Sequence, residues 1–328
     1  MHNPGYYLHL SKGLGRLAYY AGGFGGYYLP KGYFRSKRKR LLADLTSAER
    51  READNRAEYY CRLPESADMS GLEETIGELR YPFGEKERHT VYFLDLYRVL
   101  RYFRSDLRFD YIFGDLRDEA DRPTFVKSRP VTGGCTRSVL LKLNTLRHYR
   151  WVDDDGMDFA SKKDMIVCRN HLAQPWRLEF VRKYFDNPRC DLGHASALPL
   201  PGTEPWAKPF MSVRDQLNYR FIACLEGNDV ASNLKWVMSS NSLAVMPRPK
   251  VETWFAEGML RGGEHYVEIK DDYSDLIERL DYYSSHPKEA DEIIANAHRY
   301  IEKFRNDRLE LATGLLTAER YFRMTGQM

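Results

Sequence analysis

Arg169 and Arg177 stand on either side of Pro175, where an apolar run at 165–168 gives way to a helical pattern at 176–185. A guanidinium keeps its proton and can grip two phosphate oxygens at once. The first turn of a helix adds unpaired N–H groups that favour an anion. The bland alternative is two surface arginines on a helix. A second polar site follows an apolar run at 221–225: Glu226-Gly227-Asn228-Asp229, ahead of a helical pattern at 230–238. Gly227 lets the backbone approach a phosphate closely. Asp229 or Ser232 is placed to cap the helix, and Asn233 and Lys235 lie one turn further on. Glu252, just before Trp254-Phe255, suits ribose or sugar hydroxyls. Together these residues fit a small polar ligand such as a nucleotide sugar. The competing readings are a simple turn with an N-cap and, for Glu252, an ordinary helix start.

The segment 219–270 resembles the C-terminal part of glycosyltransferase family 90. That family includes bacterial lipopolysaccharide A proteins, capsule xylosyltransferases and animal protein O-glucosyltransferases. The resemblance is carried by Glu226-Gly227, Val230-Ala231-Ser232, Ser242-Leu243-Ala244-Val245, Trp254-Phe255 and His265-Tyr266-Val267, in the family's order and spacing. Phe125-Val126-Lys127-Ser128-Arg129-Pro130 is most like the bacterial lipopolysaccharide branch. The likeness covers residues 90–305 and leaves 1–80 without a counterpart.

The resemblance implies an α/β chain of GT-B type, two facing Rossmann-like domains with a cleft between them. It implies an inverting, metal-independent enzyme that moves a hexose or xylose from UDP-glucose, UDP-galactose or UDP-xylose. The implied acceptor is a saccharide of lipopolysaccharide core or capsule, expected to be lipid-linked. Arg169, Pro175 and Arg177 match an Arg, Pro, Arg pattern of the animal members; Asn170 stands where those have glycine and Leu178 where they have aspartate. Asn233 stands near an arginine of some relatives, with Lys235 as a substitute charge.

Inverting transfer needs one general base to take the acceptor's proton. Asp115 follows Tyr111-Ile112-Phe113-Gly114 at a strand end, and relatives carry a basic aspartate near there. Asp118 is the alternative, and a turn cap is the other reading of Asp115. Lys127 and Arg129 are candidates for an anionic acceptor or the diphosphate, with Asn144 and Arg147 further candidates of the same kind. Two rivals stay open: a protein O-glycosyltransferase of the same fold, and a non-catalytic basic scaffold or nucleic-acid binder.

The run Asp153-Asp154-Asp155 raises a metal question, because hard cations favour carboxylates and the GT-A fold uses an Asp-x-Asp run for metal and diphosphate. Followed by Gly156, the run reads equally as a solvent turn. No His-x-x-x-His or Cys-x-x-Cys pair occurs, so no metal site and no cofactor are expected.

The supporting elements follow from periodicity. Strands are expected at 109–113, 165–168, 221–225, 242–246 and 265–269, and helices at 41–61, 176–185, 271–284 and 287–304. Residues 90–103 read as a strand passing into a helix, 123–130 as extended between prolines, 62–88 as loop and 198–209 as an irregular proline-rich connection. Alternating strand and helix gives a parallel sheet. The expected domains are 1–157 and 158–328, with the last helix free to pack back on the first domain; the GT-B layout implied by the resemblance assigns the acceptor to the first and the nucleotide sugar to the second.

The 328 residues, 43% hydrophobic and 30% charged, suffice for two domains with packed cores. No run approaches a bilayer span and no signal peptide is visible, so a cytoplasmic place is expected, peripheral on the membrane's inner face. The five scattered cysteines read as reduced, buried thiols. Net charge is only +3, but Arg35-Ser36-Lys37-Arg38-Lys39-Arg40 follows a stretch rich in Tyr, Gly and Phe. That arm suits an anionic membrane surface, packing on its own domain, or nucleic acid; no nucleic-acid motif elsewhere supports the last.

Overall fold

A computed structural model describes residues 4–83, 89–195 and 200–328, with backbone only for 4–13 and Lys31. The loop expected at 62–88 and the connection expected at 198–209 lie partly outside the described residues. Two compact units emerge: Met1–Arg147 with Asn306–Met328, and His148–Arg305. In chain order the elements are α1 (Pro4–Tyr28), α2 (Lys31–Ala43), α3 (Ser47–Tyr60), α4 (Thr90–Leu100), β1 (Tyr111–Ile112), β2 (Thr124–Val126), β3 (Ser128–Pro130), β4 (Ser138–Leu140) and α5 (Thr145–His148). Then come β5 (Lys163–Asn170), α6 (Pro175–Tyr184), β6 (Cys190–His194), α7 (Val213–Gln216), β7 (Tyr219–Ala223), α8 (Leu234–Val237), β8 (Leu243–Met246), β9 (Val251–Thr253), β10 (Val267–Glu268), α9 (Leu276–Ser285), α10 (Pro287–Glu302) and α11 (Asp307–Met324).

The second unit is built on a five-stranded parallel sheet in the order β10-β8-β7-β5-β6. Successive residues of the central strands are all buried: Ile166, Val167 and Cys168 on β5, Phe221, Ile222 and Ala223 on β7. Both faces are therefore covered, as a parallel sheet requires. One face packs against Phe180 and Val181 of α6, Leu276 and Leu280 of α9, and Ile293 of α10. Each fully buried aliphatic or phenyl side chain contributes about 1.5–3 kcal/mol. Pro175 opens α6, where its missing N–H costs nothing and its fixed φ fits the helix.

The first unit holds a small parallel sheet, β1-β2-β4. The late helix α11 supplies its cover: the Tyr321 ring lies 4.3 Å from Phe125, and its hydroxyl donates to the Pro123 carbonyl at 2.8 Å. Along α11, Leu309 and Leu316 pack with Ala53 and Ala57 of α3. A buried ionic chain crosses the same contact, from Arg56 to Glu310 at 2.6 Å and on to Lys142 at 2.8 Å.

The helix expected at 41–61 is two helices. Thr46 and Glu49 form a capping box that starts α3 afresh, Thr46 Oγ1 accepting from the Glu49 N–H and Glu49 from the Thr46 N–H. Residues 90–100 contain no strand; α4 is helical from Thr90. Its crowded apolar residues at 93, 96, 97 and 100 are one helix face, since they recur at three- and four-residue spacing. The N-terminal stretch without a clear period is α1 and α2. Two of its glycines, Gly23 and Gly26, serve contact: a Cβ on Gly23 would meet Leu94 Cδ1 at 2.9 Å. No helix among the described residues is long and apolar enough to cross a membrane.

Asp95 anchors α1 and α5 to α4. It accepts from the Tyr19 hydroxyl at 2.6 Å, from the Thr145 N–H at 2.9 Å and from Thr145 Oγ1 at 2.9 Å. Burial pushes its carboxyl up to about 6, against the hydrogen bonds from Tyr19 and Thr145. A carboxyl with a raised folded pKa binds its proton more tightly folded than unfolded. Stability therefore falls as pH rises from about 4 to about 6, by about 3 kcal/mol for this shift, and is flat above. The unfolding free energy of the wild type relative to Asp95→Asn is expected to drop across that window. A difference independent of pH would contradict it.

Candidate active site

The chain leaves β5 toward β6 on one side of the sheet and leaves β7 toward β8 on the other. Loops that depart in opposite directions leave a crevice beyond the carboxyl ends of the two strands, the usual ligand position in such sheets. The sequence candidates Arg177, Glu226 and Gly227 meet there.

Arg177, in the first turn of α6, reaches across to the loop after β7. Its Nε donates to the Glu226 carbonyl at 2.8 Å and its Nη2 to the Leu225 carbonyl at 2.7 Å. Nη1 turns back to the His171 carbonyl at 3.2 Å. The guanidinium thus joins the loops that bound the crevice. Trp176 Nε1 also donates to the Glu226 carbonyl at 2.8 Å, and Gln174 Nε2 to Asn228 Oδ1 at 2.6 Å. A Cβ on Gly227 would stand 3.0 Å from Arg177 Nη2, so a bare backbone is what lets the two approach. The Glu226 carboxylate accepts from the Lys250 and Val251 N–H groups at 2.8 and 3.1 Å, fixing the turn into β9.

His171 and His194 lie at the ends of β5 and β6, their rings 5.3 Å apart. The Leu172 N–H points at His194 Nδ1 at 3.3 Å, so Nδ1 is the acceptor and the proton sits on Nε2. Burial, then His194 and Arg177, lowers the His171 pKa.

Other candidates have structural partners. Arg169 donates to the Asp191 carbonyl and to Asp191 Oδ1, both at 2.7 Å. Lys208 and the Tyr219 hydroxyl also reach Asp191, each at 2.7 Å. Burial pushes that carboxyl up, but Lys208, Tyr219 and Arg169 outweigh it and hold the pKa at about 2. Lys235 is fully buried and pairs with Glu257 at 2.7 Å. Glu257 in turn accepts from the Thr253 N–H at 2.6 Å.

The helix expected at 230–238 is only α8, a single turn, whose N-cap position falls on neither Asp229 nor Ser232. Asn233 stands at the N-cap position without a cap bond, its amide donating to the Ala223 carbonyl at 2.9 Å. Asp229 is buried and Ser232 exposed. Glu252 is buried on β9, a strand rather than a helix start.

In the first unit, Gly114 turns the chain out of β1 with φ +114°, a conformation glycine tolerates. Asp115 follows, its carboxylate paired with the ammonium of Lys127, which is 2% exposed between β2 and β3. Lys127 also lies 5.9 Å from the Tyr92 ring, and Asn144 donates to the Tyr92 hydroxyl at 3.2 Å. Ser128 Oγ bonds both the N–H and the carbonyl of Leu116 at 2.9 Å, fixing the loop behind Asp115. Asp118 lies exposed on the next bend. Arg129 is buried and donates to the carbonyls of Tyr59, Tyr60 and Ser138 at 2.7, 3.0 and 3.1 Å.

The acidic run at 153–155 diverges. Asp153 meets Arg305 at 3.2 Å, Asp154 accepts from the Gly156 N–H at 2.9 Å, and Asp155 accepts from Lys162 at 2.8 Å with each oxygen and from the Asn241 N–H at 2.6 Å. Among the described residues no three His, Cys, Asp or Glu side chains are grouped to hold a metal.

Sequence reasoning missed Trp176, His171, His194 and Tyr92. Only Trp176 and His171 had a legible signal, being next to Pro175 and two residues from Arg169.

Residues 202–310 match the model of Glycosyl transferase family 90. The chain is 39% identical over 293 residues to "O-glucosyltransferase LpsA" of Dichelobacter nodosus, covering 87% of this chain and 89% of that relative.

Lys235→Ala is expected to lower the unfolding free energy by about 3–5 kcal/mol, because it strands the buried Glu257 carboxylate. Urea unfolding checks this. A change near zero would mean that Glu257 is not held by Lys235.

Proposed function

The chain belongs to glycosyltransferase family 90, and from that footing we propose an inverting enzyme of GT-B type that takes its sugar from a UDP-sugar. The observation that carries the reading is Arg177 meeting the Gly227 loop at the β5/β7 crevice, a seat for a diphosphate. The second unit would bind the donor and the first the acceptor. The name of the relative favours UDP-glucose over UDP-galactose or UDP-xylose. The proposed acceptor is a saccharide of lipopolysaccharide core or capsule.

In this reading the acceptor hydroxyl oxygen attacks the anomeric carbon as the bond to the diphosphate breaks. Asp115 takes the hydroxyl proton. Lys127 fixes the position of that carboxylate, and this pairing favours Asp115 over Asp118. Arg177, its guanidinium fixed by three backbone carbonyls, would supply positive charge beside the departing diphosphate, and charge already in position needs no reorganisation. Arg169 serves as scaffold, since Asp191 holds its guanidinium. No metal ion is needed, because arginine and backbone N–H groups supply the positive field.

The test is UDP release from a panel of UDP-sugars with EDTA present. One sugar should turn over. Asp115→Asn should keep UDP binding and lose about 10²–10⁴-fold in turnover. Response to no UDP-sugar would refute the donor, and response only with manganese would refute metal independence. Separately, Gly227→Ala should weaken UDP binding about tenfold, near 1.4 kcal/mol, by displacing Arg177. Unchanged calorimetric affinity would count against that seat.

A further inference from the structure

Residues 1–43 carry eight Lys and Arg and no Asp or Glu, while the whole chain has a net charge of +3. The remainder is therefore net negative, and the positive charge is segregated in α1 and α2. α1 is docked by one face only. Tyr19 bonds Asp95, Gly23 abuts Leu94, and the Tyr27 ring lies 5.0 Å from Tyr97. These positions recur every four residues, so they form one stripe. The opposite stripe runs through Leu14, Leu17, Ala21, Gly25 and Tyr28, all exposed. Leu14 is 64%, Leu17 67% and Tyr28 72% exposed. Leu29 and Tyr33, at the joint into α2, are also exposed.

The basic run on α2 divides. Arg35 donates to the Phe103 carbonyl at 3.1 Å and to Ser105 Oγ at 2.6 Å, and Arg38 pairs with Glu319 at 2.8 Å. Those two hold α2 on its own unit. Lys37, Lys39 and Arg40 stay exposed; Lys37 rests 4.1 Å from the Tyr33 ring, and Arg40 is 86% exposed beside Asp44.

We propose that the outer face of α1, with the exposed cations of α2, is a docking surface for anionic lipid headgroups. Leu and Tyr side chains would enter the headgroup layer, as interfacial helices do, and the cations would meet the negative surface. The charge segregation selects this occupant. A second copy would present eight more cations to the first, and a neutral apolar partner would leave them unanswered. The inference goes beyond glycosyl transfer and does not depend on the donor or acceptor proposed above.

The test is flotation of the full chain with vesicles of phosphatidylcholine alone or with one-third phosphatidylglycerol. Binding is expected to the anionic vesicles only and to weaken with rising salt. Leu14→Glu with Leu17→Glu, and separately Lys37→Glu with Lys39→Glu and Arg40→Glu, should each reduce it roughly tenfold or more. All five positions are exposed, and circular dichroism and UDP-sugar hydrolysis should be unchanged, which separates lost docking from lost folding or function. The proposal is overturned if the wild type does not float with anionic vesicles, or floats equally with neutral ones. It is overturned if the variants float like wild type. An oligonucleotide bound in place of vesicles, or a dimer broken by Leu14→Glu, would replace it with another partner.

Discussion

Two neighbouring parallel strands whose chains turn away from each other cannot close the space beyond their carboxyl ends. β5 and β7 are such a pair, and the second unit is arranged around the gap they leave. A guanidinium on α6 spans it, and a glycine on the far loop admits the guanidinium. The Glu226 carboxylate then passes the constraint on to β9. Behind the gap, Lys162 ties the start of β5 to Asp155, to the Leu217 carbonyl and to Ser242.

Most charged groups that look available in the sequence are committed inside the fold. A buried ammonium or guanidinium is tolerable only with its hydrogen bonds satisfied. Lys235 has Glu257, Arg169 has Asp191, and Arg129 has three backbone carbonyls. The first unit shows a variant of this arrangement. Lys127 is buried yet directed at the more accessible Asp115, so a fixed cation stands behind a carboxylate that faces outward.

The central strands and α6 were legible in the sequence, because a two-sided buried strand is a short apolar run and Pro175 marks a helix start. α9 and α10 were legible from their single apolar stripe. The helix at 230–238 was not. Its residues are buried nearly all round, so the apolar spacing that suggested a long helix reflects enclosure on every side. α1 was hidden because its glycines lower helix propensity, although Gly23 is what lets it approach Leu94 of α4. Within the candidate site, the position of Arg177 and of the Gly227 loop at strand ends could be read from the sequence. The commitments of Arg169 and Lys235 could not, since each partner lies 22 residues away in sequence. Tyr92 had no local signal at all; a contact across 52 residues to Asn144 places it.

α11 bears on the order of assembly. The second unit is one uninterrupted stretch, His148–Arg305, whereas the first needs Asn306–Met328 to be complete. During synthesis the second unit can close as soon as its own residues emerge. The first unit, although made earlier, must wait with Phe125, Ala53 and Ala57 uncovered until α11 arrives. The half made first is therefore finished last, and its unfinished apolar surface is what a chaperone would meet on the nascent chain.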